Sequence, residues 1–321
     1  MDNTRPAADW DRYWRGTWEA AAHEDGSPQE AALQDFWRDF FARPDFPAAQ
    51  ARLLDVAAGN GAVIRYASKL ADESVDSFAL DYSVSALLNL RQRYPDVTCV
   101  AADAFHPPLA TASFDAVVSQ YGIEYAGLAA IEAAGQLVSE GGYLALVLHY
   151  RDGAIYQECA GNQRVLEDIK SLQILELARA AFSAGFALNA GKGSVEDFKA
   201  AEQAFTPAVR GLEQLLQREG NSSAGGLPQQ LYRDIAAMYR RMSAYAEEDV
   251  MQWIDGMGPE LDAYIGRMSS MVEAAVDEAG LNQQCDRLSA LGFVNIERDS
   301  LRINTASDPA AWTLVARREA A

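Results

Sequence analysis

The chain has 321 residues, 49% of them apolar, and carries a net charge of −19 from 46 acidic and 27 basic side chains. That is enough apolar material for a sizeable core, and it rules out disorder as the global state. The acid excess argues against a phosphate-neutralising nucleic-acid binder and against an anionic membrane surface, and it suits a cationic substrate.

No stretch hides a basic module: residues 286–321 are neutral, and 1–50, 51–150 and 151–285 are each acidic. Cys99, Cys159 and Cys285 are odd in number and far apart, so reduced thiols are expected, with no disulfide framework and no metal site. No basic-then-apolar leader opens the chain, and the longest apolar run, Tyr143 to Leu148, is too short for a bilayer. A cytoplasmic protein without membrane contact is expected.

The first fifty residues are rich in aromatics: Trp10, Tyr13, Trp14 and Trp18, then Phe36, Trp37, Phe40 and Phe41. Leu33, Phe36, Trp37, Phe40 and Phe41 share one helical face, so Gln29 to Ala42 reads as a helix ended by Pro44 and Pro47. Strands follow at Leu53–Val56, Phe78–Leu80, Val97–Val100, Phe114–Val118 and Tyr143–Leu148. Helices at Val63–Leu70, Val84–Tyr94 and Leu128–Val138 separate them. That alternation predicts βαβ units and a parallel sheet buried on both faces. Gly292–Ile296 and Trp312–Val315 have no helical pattern between them and should pair antiparallel.

Residues 151–285 interrupt this order with an all-helical insertion after the fifth strand. Leu231, Ile235, Met238, Met242 and Tyr245 follow one helical face, as do Leu261, Ile265, Met268 and Val272, and Val209, Leu212 and Leu216. Gly191–Gly193 and Asn221–Gly226 read as flexible breaks. The Met and Tyr residues of the block (Met238, Tyr239, Met242, Tyr264, Met268) line a pocket or, more commonly at this spacing, form plain core. The expected layout is an N-terminal helical arm over 1–50, an α/β domain over 51–150 and 286–321, and the insertion between.

The chemistry concentrates after the first strand. Asp55-Val-Ala-Ala-Gly59-Asn60-Gly61 is a strand, a turn with two glycines and a helix start, a geometry that brings backbone amides close to a ligand. Asp81 ends the second strand twenty residues beyond Gly61, where a carboxylate reaches the ribose hydroxyls of a nucleoside. A dinucleotide pyrophosphate would meet a like charge at Asp55, and Ile64 stands where the third glycine of such a site belongs. A sulfonium and an ammonium are favoured there instead, which points to S-adenosylmethionine rather than to a nicotinamide-dependent oxidoreductase.

The segment order resembles the class I S-adenosylmethionine-dependent methyltransferases. Asp55 to Gly61 resembles that family's first motif, with Ala57 where the first glycine usually stands and without the last glycine. Leu80-Asp81-Tyr82-Ser83 resembles the ribose-binding strand end, and Ala102-Asp103-Ala104-Phe105 the segment that brackets the adenine. Ser113 to Gln120 resembles the fourth strand, Leu137 to Tyr143 the turn into the fifth, and Leu291-Gly292-Phe293 the entry to the last hairpin. The resemblance covers residues 51–150 and 286–318. It implies a doubly wound, mostly parallel seven-stranded α/β sheet and a cofactor set of Asp55, Ala57, Gly59, Asn60, Gly61, Asp81, Tyr82, Asp103, Ala104 and Gln120.

Acceptor-side residues must come from the ends of strands four and five. Tyr121, Glu124 and His149 are the candidates for catalysis. His149 serves as a base or closes its strand, and Glu124 pairs with a cationic acceptor or begins a helix. Tyr13 or Trp14 covers the sulfonium or packs as a structural arm. His106 reads as a loop residue, and Asp115 as structural. The expected activity is methyl transfer to a small-molecule acceptor, cationic or amine-bearing, with the insertion as a lid or as a homodimer surface. The alternatives are a protein methyltransferase that docks its substrate on the insertion and a non-catalytic cofactor-binding scaffold.

Overall fold

The computed structural model describes residues 10–11, 13–14, 28–44, 46, 51–70, 75–302 and 308–320. The expectations at Trp18 and Pro47 lie outside these. The chain forms two compact units, 1–158 with 270–321, and 159–269.

The first unit is built on one seven-stranded sheet in the order β3-β2-β1-β4-β5-β7-β6. Its strands are β1 (Arg52–Val56), β2 (Asp76–Asp81), β3 (Thr98–Ala101), β4 (Phe114–Gln120), β5 (Val138–His149), β6 (Phe293–Arg302) and β7 (Pro309–Arg318). Strands β1 to β5 pair in parallel, whereas β7 runs antiparallel to both β5 and β6. The helices of this layer are α1 (Pro28–Phe41), α2 (Ala62–Leu70), α3 (Val84–Arg93) and α4 (Ala129–Leu137). Apolar side chains alternate along β1, β4 and β5 so that both faces are covered. Leu54, Val117, Leu144, Leu146 and Leu148 pack with α4 on one side, and Leu53, Ala116, Val118, Ala145 and Val147 with α1 and α2 on the other. Trp37 of α1, with no exposed surface, anchors the second layer among Phe36, Phe40 and Phe41.

The second unit lies between β5 and β6 in sequence, and its described regular elements are helices. The helices over this part of the chain are α5 (Ala154–Ser171), α6 (Ile174–Asn189), α7 (Val195–Glu219), α8 (Leu227–Arg240) and α9 (Glu247–Ala274). Its buried side chains include Leu166, Ile169, Phe182, Phe205, Leu212 and Ile235. Met238, Met242 and Met268 are buried as well, in keeping with the core reading. Two expectations change here. The apolar face beginning at Leu231 does not run on to Tyr245, because α8 ends at Arg240 and Met242 begins a separate 3-10 turn. Within Asn221–Gly226, Ala224, Gly225 and Gly226 adopt left-handed backbone, and Ala224 is buried with its N–H donating to Asn162 Oδ1 at 2.9 Å, so the segment is tied down at its middle.

The expected boundary at residue 285 falls inside a helix, α10 (Glu278–Ala290). Leu281 and Leu288 of α10 have no exposed surface and join the α4 side of the sheet core, so this helix belongs to the first unit. Asp277 caps it by accepting from the Gly280 N–H at 2.7 Å. Among the described residues no helix is long and apolar enough to cross a membrane, and no group of three or more metal-ligating side chains comes together.

Candidate active site

In a doubly wound sheet the ligand crevice opens where neighbouring strands send their connections to opposite faces, here between β1 and β4. The chain leaves both strands in a rare conformation. Ala57, just after β1, has φ +54°, and Tyr121, just after β4, has φ +53°. Backbone held in the left-handed region by non-glycine residues is stored strain of the kind that gathers at functional sites. Between them Gly122 passes so close to Ala57 that a Cβ on it would lie 2.7 Å from both the Cβ and the carbonyl oxygen of Ala57.

A cavity of about 460 Å³ opens at these strand ends, within the roughly 300–1,000 Å³ of small-molecule sites. Ala57 and Gly59 line it from β1, Leu80 to Ser83 from β2, Asp103 and Ala104 from β3, and Tyr121, Gly122 and Glu124 to Gly127 from β4. Trp10 and Trp14 and the last turn of α9 (Ser270, Glu273, Ala274) complete it.

Asp81 is the pivot of the loop after β1. Its Oδ2 accepts from the Gly59 N–H at 2.8 Å and its Oδ1 from the Ser83 N–H at 2.7 Å. Burial nevertheless pushes its carboxyl above the usual range, because desolvation outweighs these donors. Asp103 lines the cavity while one oxygen accepts from the Phe105 N–H at 2.9 Å. Tyr82 stands largely exposed at the rim, and Ala104 is buried.

Asp55 departs from expectation. It is buried to 1% and is not among the residues that line the cavity. Its carboxylate accepts from the Ile64 N–H in the first turn of α2, while Oδ2 has no hydrogen-bond partner among the described residues. The first turn of α2 thus takes the carboxyl group that the sequence reading assigned to the ligand. Burial, reinforced by Asp81, pushes this carboxyl well above its usual range. A carboxyl raised in the folded state stabilises below its unfolded value of about 3.9, and that stability is lost as pH rises through the folded value. Asp55→Asn should therefore match the unaltered protein in mild acid and melt at a higher temperature at neutral pH. A variant less stable at neutral pH would mean that the charge is compensated.

Other expected cofactor residues also lie outside the cavity lining. Gln120 accepts from Trp37 Nε1 at 2.6 Å and so ties β4 to α1. Gly61, at φ +86°, gives room to Leu90 of α3, which a Cβ would meet at 3.0 Å. Asn60 and Tyr13 are not lining residues either. Tyr13 packs edge-on between Trp10 and Trp14, and those two rings face the cavity instead. Trp14 sits so close to Gly59 that a Cβ there would meet its ring at 2.9 Å, and Trp10 contacts Tyr125 edge-on at 5.4 Å. Asp11 fixes this arm by accepting from Ser83 Oγ at 2.8 Å and from the Ser85 N–H at 3.2 Å. Sequence reasoning missed Gly122 and Glu273. A glycine directly behind Gln120-Tyr121, at a strand end, was the one signal for the first.

Glu124 and His149 form a buried pair. The backbone N–H of His149 donates to Glu124 Oε1 at 3.0 Å, and His149 Nδ1 lies 2.7 Å from the same oxygen. Glu124 lines the cavity and His149 does not, so the histidine stands behind the glutamate. The Tyr121 ring packs on His149 at 4.5 Å, and burial raises its phenol above the usual range. Asp115, as expected, is structural: it accepts from the Arg52 N–H at 2.8 Å.

This arrangement agrees with what the chain resembles. Residues 54–146 match the methyltransferase-domain family. Over those residues, under a third of its length, the chain is similar to methyltransferase domains. It is 40% identical over 72 residues to a demethylmenaquinone methyltransferase of Beutenbergia cavernae and 42% identical over 72 residues to that of Renibacterium salmoninarum. Each match covers 22% of this chain and 29% of the relative, so the chain aligns with under a third of these proteins. Among solved structures, an S-adenosylmethionine-dependent methyltransferase of Mesorhizobium loti is 25% identical, with a TM-score of 0.32, over 39% of this chain and 56% of its own. One of Aquifex aeolicus is 17% identical, with a TM-score of 0.32, over 37% and 68%.

Proposed function

We propose that the protein transfers the methyl group of S-adenosylmethionine to a small molecule. The observation that carries this is the sequence of groups along one cavity. Asp103 and Ala104 stand at the β3 end, Asp81 at the β2 end, Ala57 and Gly59 after β1, and Tyr121, Gly122 and Glu124 to Gly127 after β4. A nucleoside laid with its adenine at β3 and its ribose at Asp81 brings its sulfonium to the β1–β4 crevice. Trp10, Trp14, Tyr121 and Tyr125 line the cavity and supply aromatic rings for a cation.

The chemistry is an in-line displacement: the acceptor forms a bond to the methyl carbon as the carbon–sulfur bond breaks, and the electron pair stays on sulfur. The chain's contribution is to hold the donor, align the acceptor and keep water out. The demethylmenaquinone named for the relatives supports a small-molecule acceptor.

Isothermal calorimetry tests the reading. S-adenosylmethionine and S-adenosylhomocysteine should bind, and NAD should not. NAD binding of similar strength would overturn it. Mass spectrometry of methylated products would then separate a small acceptor from a protein one.

A further inference from the structure

We propose that the acceptor is an amine, and that Glu124 holds its N–H and receives its proton. The inference rests on the reading that S-adenosylmethionine occupies the cavity.

The first support is the sign of the charges. Asp81, Asp103, Glu124 and Glu273 all line the cavity, and no lysine, arginine or histidine does so among the described residues. Asp81 and Asp103 stand at the nucleoside end, which leaves Glu124 at the β4 end. A carboxylate or phosphate on the acceptor would meet only like charge there.

The second support is the state of Glu124. It is 3% exposed, on the short 3-10 helix Ile123–Ala126. Both donors of His149 fall on Oε1, and Oε2 is buried with no hydrogen-bond partner among the described residues. A buried carboxylate oxygen left unpaired is costly, and a ligand N–H removes that cost. His149 acts as the positioning residue that fixes which oxygen remains.

The third support distinguishes an amine from a hydroxyl. An oxygen nucleophile gains strength by becoming an anion, and no basic side chain lines this cavity to stabilise one. An amine stays neutral or positive throughout. Glu124 takes a proton from the entering ammonium, the freed nitrogen lone pair forms the nitrogen–carbon bond, and the carbon–sulfur bond breaks towards sulfur. Positive charge passes from sulfonium to methylated ammonium beside the now neutral Glu124 carboxyl, among the aromatic side chains Tyr121, Tyr125 and Trp10 that line the cavity. The proton on Glu124 leaves to solvent with the products.

The test uses sinefungin, an S-adenosylmethionine analogue with an ammonium-bearing carbon in place of the methylated sulfur. Calorimetry on the full chain at neutral pH should show sinefungin binding at least about tenfold more tightly than S-adenosylhomocysteine, a difference of about 1.4 kcal/mol. Glu124→Gln should keep its affinity for S-adenosylhomocysteine within about threefold and lose that advantage. If sinefungin binds the unaltered protein no better than S-adenosylhomocysteine, the amine proposal fails, whether or not the variant folds. If a folded Glu124→Gln keeps the full advantage, Glu124 is not the group responsible. If neither ligand binds the unaltered protein, it is the S-adenosylmethionine reading that fails.

Discussion

Asp81→Ala should weaken S-adenosylmethionine binding by at least about tenfold and also lower the melting temperature. The side chain does two jobs. In the free protein its oxygens accept from the N–H groups of Gly59 and Ser83, which holds the loop after β1 against the start of α3. On the proposed reading, the same carboxylate faces the ribose in the complex. A hydrogen bond to a charged group contributes about 1.5–3 kcal/mol, so the loss of one already exceeds tenfold in affinity. Asp81→Asn separates the two jobs, because it keeps an oxygen for one backbone donor while removing the charge. It should melt closer to the unaltered protein and still bind weakly.

The pH dependence has a definite sign. Burial raises the Asp81 carboxyl, and ribose hydroxyls donate best to its ionised form. Affinity should rise with pH through the raised value and then level off, which calorimetry between about pH 5 and 8 would trace. Asp81→Ala with unchanged affinity would mean that the ribose is held elsewhere.

The strands and their parallel or antiparallel type were legible because each segment that the sheet buries is a short apolar run with its own turn signals. Leu53–Val56 and Tyr143–Leu148 have no other stable home. The cavity lining was legible where the backbone itself sets position: Asp81 and Asp103 follow directly from strand ends, and Gly59 from its turn. It was not legible where a side chain had two partners of the same kind available. Asp55 was read as facing a ligand cation, but the positive end of α2 lies nearer, and Ile64 takes the bond. Gln120 likewise went to the indole of Trp37, a contact across 83 residues that no local pattern announces. Trp10 and Trp14 differ from Tyr13 only by which side of a short helical turn they occupy, and that turn's rotation is set by Asp11 bonding to Ser83 and Ser85. The boundary at 285 failed for a related reason. α10 is an amphipathic helix like those before it, and only the packing of Leu281 and Leu288 shows which unit owns it.

Gly122→Ala should damage the site more than any other one-methyl change there. Gly122 lies at φ −146° and ψ −52°, so the substitution is not resisted chiefly by its own backbone angles. The obstacle is Ala57: the new methyl would stand 2.7 Å from its Cβ and 2.7 Å from its carbonyl oxygen, both closer than real contacts allow. The loop after β1 cannot simply retreat, since Asp81 holds it at Gly59 and the Ala58 N–H donates to the Leu80 carbonyl at 3.1 Å. The end of β4 must move instead, and with it the turn that carries Tyr121, Glu124 and Tyr125. Overpacking of this kind costs about 1–3 kcal/mol in stability. A shift of a few tenths of an ångström at the crevice should lower methyl transfer more than it lowers cofactor affinity, because alignment is what the crevice supplies. Adding Ala57→Gly removes the Cβ obstacle and relieves the left-handed strain at φ +54°, while the carbonyl contact stays. The double variant should therefore recover part of the lost stability, a non-additive result expected of residues in direct contact. Melting curves for the two single variants and the pair decide the matter. If Gly122→Ala melts and binds as the unaltered protein does, β1 and β4 do not meet as closely as this structure places them, and the crevice has slack for a larger donor.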